Sequence, residues 1–323
     1  MFDVTAIGEL LIDFTSTGMD ANGVMCYARH PGGAPANVLA ANQKLGGNTA
    51  FIGKVGQDSF GIYLKNYLEQ LGISTTGLML SPDVHTTLAF VQLDQKGDRS
   101  FTFYRNPGAD MMLAPEEVSD ELIRNSNMLH FGSISLSKEP ARSATLHAVQ
   151  TAKDAGKMIS YDPNYRPLLW DDVKDAQQVM RSCVQYADII KVSEEEMMLL
   201  TGETDPLQGA ARLSEMGAVL VLVSMGSKGA YYYLADKHGI LPAYDVKTVD
   251  TNGAGDAFLG AVHYRLQDKT LDDIRQLPSS ELEDIVSFAN AAGSLTTTKS
   301  GAISAMPTRA EVEDCIKNTP LLQ

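Results

Sequence analysis

The 323-residue chain is poor in cysteine and in positive charge, and it lacks any long apolar run. Its three cysteines, Cys26, Cys183 and Cys315, are scattered and show no CxxC or CxxH spacing. That argues against a disulfide framework or a zinc cluster. Lys and Arg number 26 against 40 Asp and Glu, for a net charge of −14. Such a surface repels phosphate backbones, so no nucleic-acid partner is expected. It does not exclude a small anionic substrate, because backbone amides can overrule the global field locally. No stretch approaches the roughly eighteen apolar residues of a membrane span. Asp3 and Glu9 interrupt the apolar run of Met1–Leu11 and no basic region precedes it, so it reads as a buried strand and not as a signal peptide. Also missing are a Walker-type Gly-x-x-x-x-Gly-Lys-Ser/Thr, a His-Glu-x-x-His, and a Gly-x-Gly-x-x-Gly after the first strand. The six histidines are dispersed, and there is no internal repeat or low-complexity tract. The expectation is a soluble, reduced, cytoplasmic protein with no membrane partner.

What is present is alternation. With 44% hydrophobic and 20% charged residues the chain can bury a large core. Val4–Ile7, Ala50–Ile52, Met128–Phe131, Met158–Tyr161, Ile189–Val192 and Leu220–Ser224 read as strands. Asn37–Leu45, Tyr63–Leu71, Lys138–Ala155 and Asp205–Met216 carry a helical period. Gly46-Gly47, Gly156 and Gly217 fall where those helices should end. The order predicts an α/β fold, a mostly parallel central sheet with helices on both faces, in one domain over 1–323. Val24–Arg29 and Thr86–Tyr104 alternate in polarity, the second turning back around Asp94-Gln95-Lys96-Gly97-Asp98. These segments, about 14–30 and 86–105, predict a small β lid; an ordinary antiparallel extension is the alternative.

The sharpest motif is Asp250-Thr251-Asn252-Gly253-Ala254-Gly255-Asp256-Ala257-Phe258. Tyr244–Val249 upstream is β-prone, and Ala257–Leu266 downstream reads as a helix. Gly253, Ala254 and Gly255 then form the turn into that helix, where small residues and the helix dipole make an anion hole. Asp256, in the first turn, could take a proton from an attacking hydroxyl. Acidic residues in first turns also simply stabilise helices, but capping alone does not need three small residues.

The run Asp250–Phe258 resembles the C-terminal signature of the PfkB/ribokinase family. The family's N-terminal signature is matched by Gly32-Gly33-Ala34-Pro35-Ala36-Asn37, Leu45-Gly46-Gly47, Gly53 and Val55-Gly56-Gln57-Asp58-Ser59-Phe60-Gly61. The resemblance runs from Gly8 to the Gly301-Ala302 region and implies a ribokinase-like fold and ATP-dependent phosphorylation of a small sugar with Mg²⁺. It implies Asp256 as catalytic base, with Gly253, Ala254 and Gly255 as the anion hole. It implies Asp13, Gly33 and Asn37 as sugar contacts, although Asn37 could equally be a helix-capping residue. Ser193 and Glu196 correspond to the family's Asn-x-x-Glu near Mg²⁺ and the nucleotide phosphates, with Ser193 in place of Asn; the same spacing is a capping box. Ser224, Gly226 and Gly229 resemble the nucleotide-phosphate loop, though a hairpin turn would also supply the glycines. Asn290 falls beside adenine, and Asp250 with Gly301 resembles a monovalent-cation site for K⁺. Lid strands in the family often pair between subunits, which implies a homodimer.

Substrate choice rests on Asp162-Pro163-Asn164-Tyr165-Arg166 with Leu169-Trp170, and on Tyr104-Arg105-Asn106-Pro107-Gly108-Ala109-Asp110. Both look more like bacterial fructokinases than ribokinases or adenosine kinases, so fructose is the expected acceptor. Arg105 and Arg166 could steer polar or anionic groups, which keeps 2-keto-3-deoxygluconate open; either could instead brace a loop. Aminoimidazole riboside and ribose are further alternatives, as is a contact of His30 with substrate. A catalytically silent sugar- or nucleotide-binding regulator on the same fold is the competing class. The retained Asp256 argues against it, since a binder needs the glycines but not the carboxylate.

Overall fold

A computed structural model describes residues 1–93 and 99–323. Strands β1 (Phe2–Ile7), β4 (Thr49–Gly56), β5 (Ser74–Ser81), β8 (Ser126–Gly132), β9 (Met158–Asp162), β10 (Ile189–Ser193) and β11 (Leu220–Ser224) run parallel in one sheet. The hairpin β12 (Ala230–Leu234) and β13 (Lys237–Leu241) extends it antiparallel, giving the order β13-β12-β11-β10-β9-β8-β1-β4-β5. A second sheet, β3-β2-β6-β7, is built from β2 (Leu11–Met19), β3 (Met25–Gly32), β6 (Leu88–Leu93) and β7 (Arg99–Tyr104). The turn expected at Asp94–Asp98 lies outside the described residues.

The helices are α1 (Ala34–Leu45), α2 (Ser59–Gln70), α3 (Asp120–Arg124), α4 (Ala141–Asp154), α5 (Val173–Cys183) and α6 (Glu194–Thr201). They continue as α7 (Pro206–Glu215), α8 (Ala254–Leu266), α9 (Leu271–Arg275), α10 (Ser279–Thr296) and α11 (Arg309–Asn318). Strand side chains alternate between faces, and both faces are covered. Ile189, Leu220 and Leu222 pack on one side with Leu39 of α1, Leu64 of α2, Val262 of α8 and Ile285 of α10. Ile190, Val221 and Val223 pack on the other with Ala148 of α4, Met180 of α5, Leu200 of α6 and Leu213 of α7. The expected helix ends hold, with Gly46, Gly156 and Gly217 all at positive φ.

Three elements depart from the reading of the sequence. Tyr244–Val249 forms no strand. Its backbone is satisfied by other parts of the chain: Tyr244 N–H donates to Ser294 Oγ, Asp245 N–H to the Pro320 carbonyl and Val249 N–H to the Thr297 carbonyl. The edge hairpin β12–β13 was not anticipated, although Ala230, Tyr232 and Leu234 are buried in alternation with Tyr231 and Tyr233, the period of a strand. Strand β2 continues the chain after Leu11 with a shift of register between Ser16 and Gly18, which hides its alternation.

Candidate functional site

The site lies at the carboxyl ends of the parallel strands, where ligands bind in open α/β sheets. Gly253 precedes α8 at φ 75° and no side chain caps that end. The turn therefore leaves the N–H groups of Gly255 and Asp256 for a ligand, at the positive end of the helix. A methyl on Gly253 would come within 2.8 Å of Ala302 Cβ, so the turn excludes larger residues on two counts.

Asp256 is buried, and two amides fix its carboxylate: Asn37 donates to Oδ2 at 2.8 Å and Asn164 to Oδ1 at 3.1 Å. Asn37 reaches it because α1 and α8 pack closely at Gly260, where a Cβ would lie 2.5 Å from the Val38 carbonyl oxygen. Asn164 reaches it from a left-handed position, φ 43°, which asparagine tolerates, and its N–H donates to Asp162 Oδ1. Both amides donate, so the two carboxylate oxygens are held in one orientation.

Lys191 is the strongest residue that the sequence reading left without a role. Its ammonium binds Asp162 at 2.7 Å, with both side chains buried, and lies 3.0 Å from where a Gly255 Cβ would be. Burial alone would pull this ammonium down, but Asp162, Glu196 and Asp256 outweigh it and hold it above the ordinary lysine value. A permanent positive charge thus flanks the anion hole. The signal was there: a lysine inside Ile189-Ile190-Lys191-Val192, a strand otherwise buried, is rarely without a partner.

Three cavities meet at this turn. A cavity of 480 Å³ includes Ser224, Gly226, Gly229, Tyr244, Phe258 and Asn290. A second, of 590 Å³, includes Lys191, Ser193, Glu196, Arg166 and Gly253. Thr251 and Gly255 border both. The third, of 80 Å³, includes Glu9, Asp13, Gly33, Asn37 and Phe103, and shares Asn164, Arg166, Asn252 and Asp256 with the second. Asp256 therefore stands between a polar pocket and the cleft leading to the 480 Å³ cavity. The pocket is acidic: burial pushes Asp13 up to about 7, opposed by the Arg166 guanidinium. Asn37 Oδ1 is buried there without a hydrogen-bond partner.

Other expected residues carry structural duties as well. Glu196 accepts from Tyr165 N–H at 2.7 Å and from Ser193 N–H at 2.8 Å, so the capping box is formed. Its carboxylate still borders the cleft, and it fits Mg²⁺ through water, as an ion that keeps its own waters allows. Asp250 accepts from Asn252 N–H and Gly301 N–H, joining the loops expected to hold K⁺. His30 lies against that loop, 3.4 Å from where a Gly301 Cβ would be. Asn290 borders the 480 Å³ cavity, but its amide donates to the Leu241 and Pro242 carbonyls. Arg105 does not line the pocket. Asp110, Ser137 and the Ile134 carbonyl take its guanidinium, which makes it a brace beneath the substrate contacts expected of it. Arg166 does line the pocket, exposed, and donates to the Tyr165 carbonyl.

Known proteins share this arrangement along the whole chain. The probable fructokinase-4 of Arabidopsis thaliana is 44% identical over 319 residues, 97% of this chain and 96% of its own length. The structure of a Xylella fastidiosa fructokinase with bound ATP superposes with a TM-score of 0.91 at 31% identity, covering 98% and 99% of the two chains. A Vibrio cholerae O395 fructokinase double mutant with fructose, ADP and potassium bound gives 0.85 at 34% identity, covering 97% of each. The model of the pfkB family carbohydrate kinases matches residues 1–309. A helix-entry turn with a buried carboxylate, standing between a polar pocket and a wider cleft, thus has its explanation in descent: this chain belongs to the pfkB family of carbohydrate kinases.

Proposed function

We propose that the protein transfers the γ-phosphate of ATP to the terminal hydroxyl of fructose, giving fructose 6-phosphate. The observation that carries this reading is the position of Asp256, gripped by two amides where the polar pocket meets the uncapped end of α8. Fructokinases that match over nearly the whole chain support fructose as the acceptor.

ATP takes the 480 Å³ cavity, with its phosphates toward Gly226, Gly229 and the cleft. Glu196, which borders the cleft, would hold Mg²⁺ through water, and that ion would supply neutralisation of phosphate charge. Asp13, Gly33 and Asn37 orient the sugar, while the amides of Gly255 and Asp256 receive the transferring group. Asp256 removes the proton of the attacking hydroxyl, and Lys191 stabilises charge on the phosphoryl oxygens. Phosphoryl transfer has a loose transition state, so this fixed charge and geometry outweigh basicity. Asp250 and Gly301, joined by a hydrogen bond, would hold K⁺, which would supply positive charge near the phosphates. The small sheet serves as a lid that excludes water. Its exposed Met19, Met25 and Tyr104 support a dimer through that sheet, and the working compartment is the cytoplasm.

The test is ATP-dependent phosphorylation of fructose, ribose, aminoimidazole riboside and 2-keto-3-deoxygluconate by the purified protein. Preference for fructose supports the assignment. Preference for the sugar acid would reassign Arg166 as a carboxylate ligand, and nucleotide binding without turnover on any sugar would favour a silent regulator.

A further inference from the structure

Glu9 follows β1 and enters the same polar pocket, yet neither the anion hole nor the helix-entry turn uses it. It is 2% exposed. Its Oε1 accepts from Ala34 N–H at 2.8 Å, at the start of α1. Its Oε2 is buried and has no hydrogen-bond partner. The nearby Arg105 guanidinium bonds Asp110, Ser137 and the Ile134 carbonyl; it acts on Glu9 through its charge, which pulls the carboxyl pKa down, and not through a hydrogen bond to Oε2. A buried carboxyl oxygen left unpaired costs free energy that capping α1 does not recover, since Oε1 alone supplies that contact.

Two unpaired buried acceptors, Glu9 Oε2 and Asn37 Oδ1, thus border one small pocket with Asp13. Three oxygen acceptors with few donors among them match a polyol, whose hydroxyls donate. We propose that Glu9 is a specificity-determining residue, its Oε2 binding one hydroxyl of the sugar while its Oε1 fixes the N-terminus of α1. The inference rests on the sugar-kinase reading above. Burial pushes the Glu9 carboxyl up to about 7, with Asp110 adding to the rise. Near neutrality it can therefore donate as well as accept, which a hydroxyl partner accommodates.

The experiment is calorimetric binding of the four panel sugars, and of deoxy analogues of whichever binds, to wild type and to E9Q. A non-hydrolysable ATP analogue is titrated alongside. E9Q keeps the Ala34 contact and removes the acid. Expected is about ten- to hundredfold weaker sugar binding with unchanged nucleotide binding and an unlowered melting temperature. One deoxy-sugar should bind wild type and E9Q alike, identifying the hydroxyl. Equal sugar affinity in the two proteins, or a loss shared by every analogue and by the nucleotide, overturns the proposal and leaves Glu9 as a brace for α1. Should E9Q fail to fold, E9D keeps the acid and retracts it, with the same expected and overturning results. A sugar bound but not phosphorylated by wild type sinks the kinase reading while the Glu9 comparison still decides; wild type that binds no sugar sinks both.

Discussion

Asn37 and Asp256 are separated by 219 positions in the chain and meet at 2.8 Å, the amide of one helix donating to the carboxylate of another. The contact couples the expected sugar pocket to the expected base, so displacement of either helix misaligns both. Its geometry depends on the absence of a side chain at Gly260, one turn beyond Asp256 on α8.

Replacing Asp256 by Asn removes the proton acceptor and keeps the shape. The kcat of D256N should fall about 10²–10⁴-fold, the span of acid–base groups. Sugar and nucleotide affinities should change little. Steady-state kinetics with calorimetry checks this, and a drop below threefold would remove Asp256 from the role of base.

Lys191 and Asp162 form a buried pair. K191M leaves the Asp162 carboxylate without its cation, which costs about 3–5 kcal/mol when a buried pair is broken on one side. In K191M/D162N much of that stability should return in urea denaturation. The kcat should not return, because the charge beside the anion hole is still missing. Recovery of both together would make the lysine purely structural.

At Gly253 the backbone has positive φ and a Cβ would meet Ala302. G253A should lose more than about 1 kcal/mol of stability and raise KM for ATP, since the turn presents the Gly255 and Asp256 amides. Thermal melting and initial rates at varied ATP read the two effects separately. An unchanged KM would mean that the turn does not meet the nucleotide.

Burial raises both Glu9 and Asp13 to about 7, above the values of 4.5 and 3.8 that they hold when unfolded. Between those limits the native state binds more protons than the unfolded one, so these groups lower stability as pH rises through 7. The double variant E9Q/D13N should therefore gain on wild type at pH 8 and match it near pH 4. Urea midpoints at the two pH values test this; a gain of the same size at both would attribute the change to packing.

In the opposite direction, burial holds His130 down at about 3 and His263 well below its usual value, with Ser160 bridging their rings. The unfolded chain takes up those protons first as pH falls below about 6.5, which destabilises the native protein in acid.

Much of the frame was legible without coordinates. Leu220–Ser224 reads directly as a buried strand, and Ala257–Leu266 as a helix entered through small residues, because both signals are local. Glu196 was legible as a capping box, which the structure forms, and its side chain also lines the cleft where a site acid was expected. Arg105 was open between a substrate contact and a loop brace, because a sequence shows its five donors but not the Asp110, Ser137 and Ile134 atoms that accept from three of its nitrogens. Tyr244–Val249 was misjudged because its backbone partners lie on α10 and at the C-terminus.

The sequence by itself determined the alternation of strands and helices, the turn into α8 and the chemistry of the groups near it, all of which follow from neighbours along the chain. Only the tertiary structure decided that Asn37 and Asn164 grip one carboxylate, that Lys191 stands beside Gly255, and that Glu9 keeps an unpaired oxygen in the pocket. Those facts depend on how closely helices and strand ends approach across the fold, a distance set by side chains far apart in sequence and by the absence of one at Gly260.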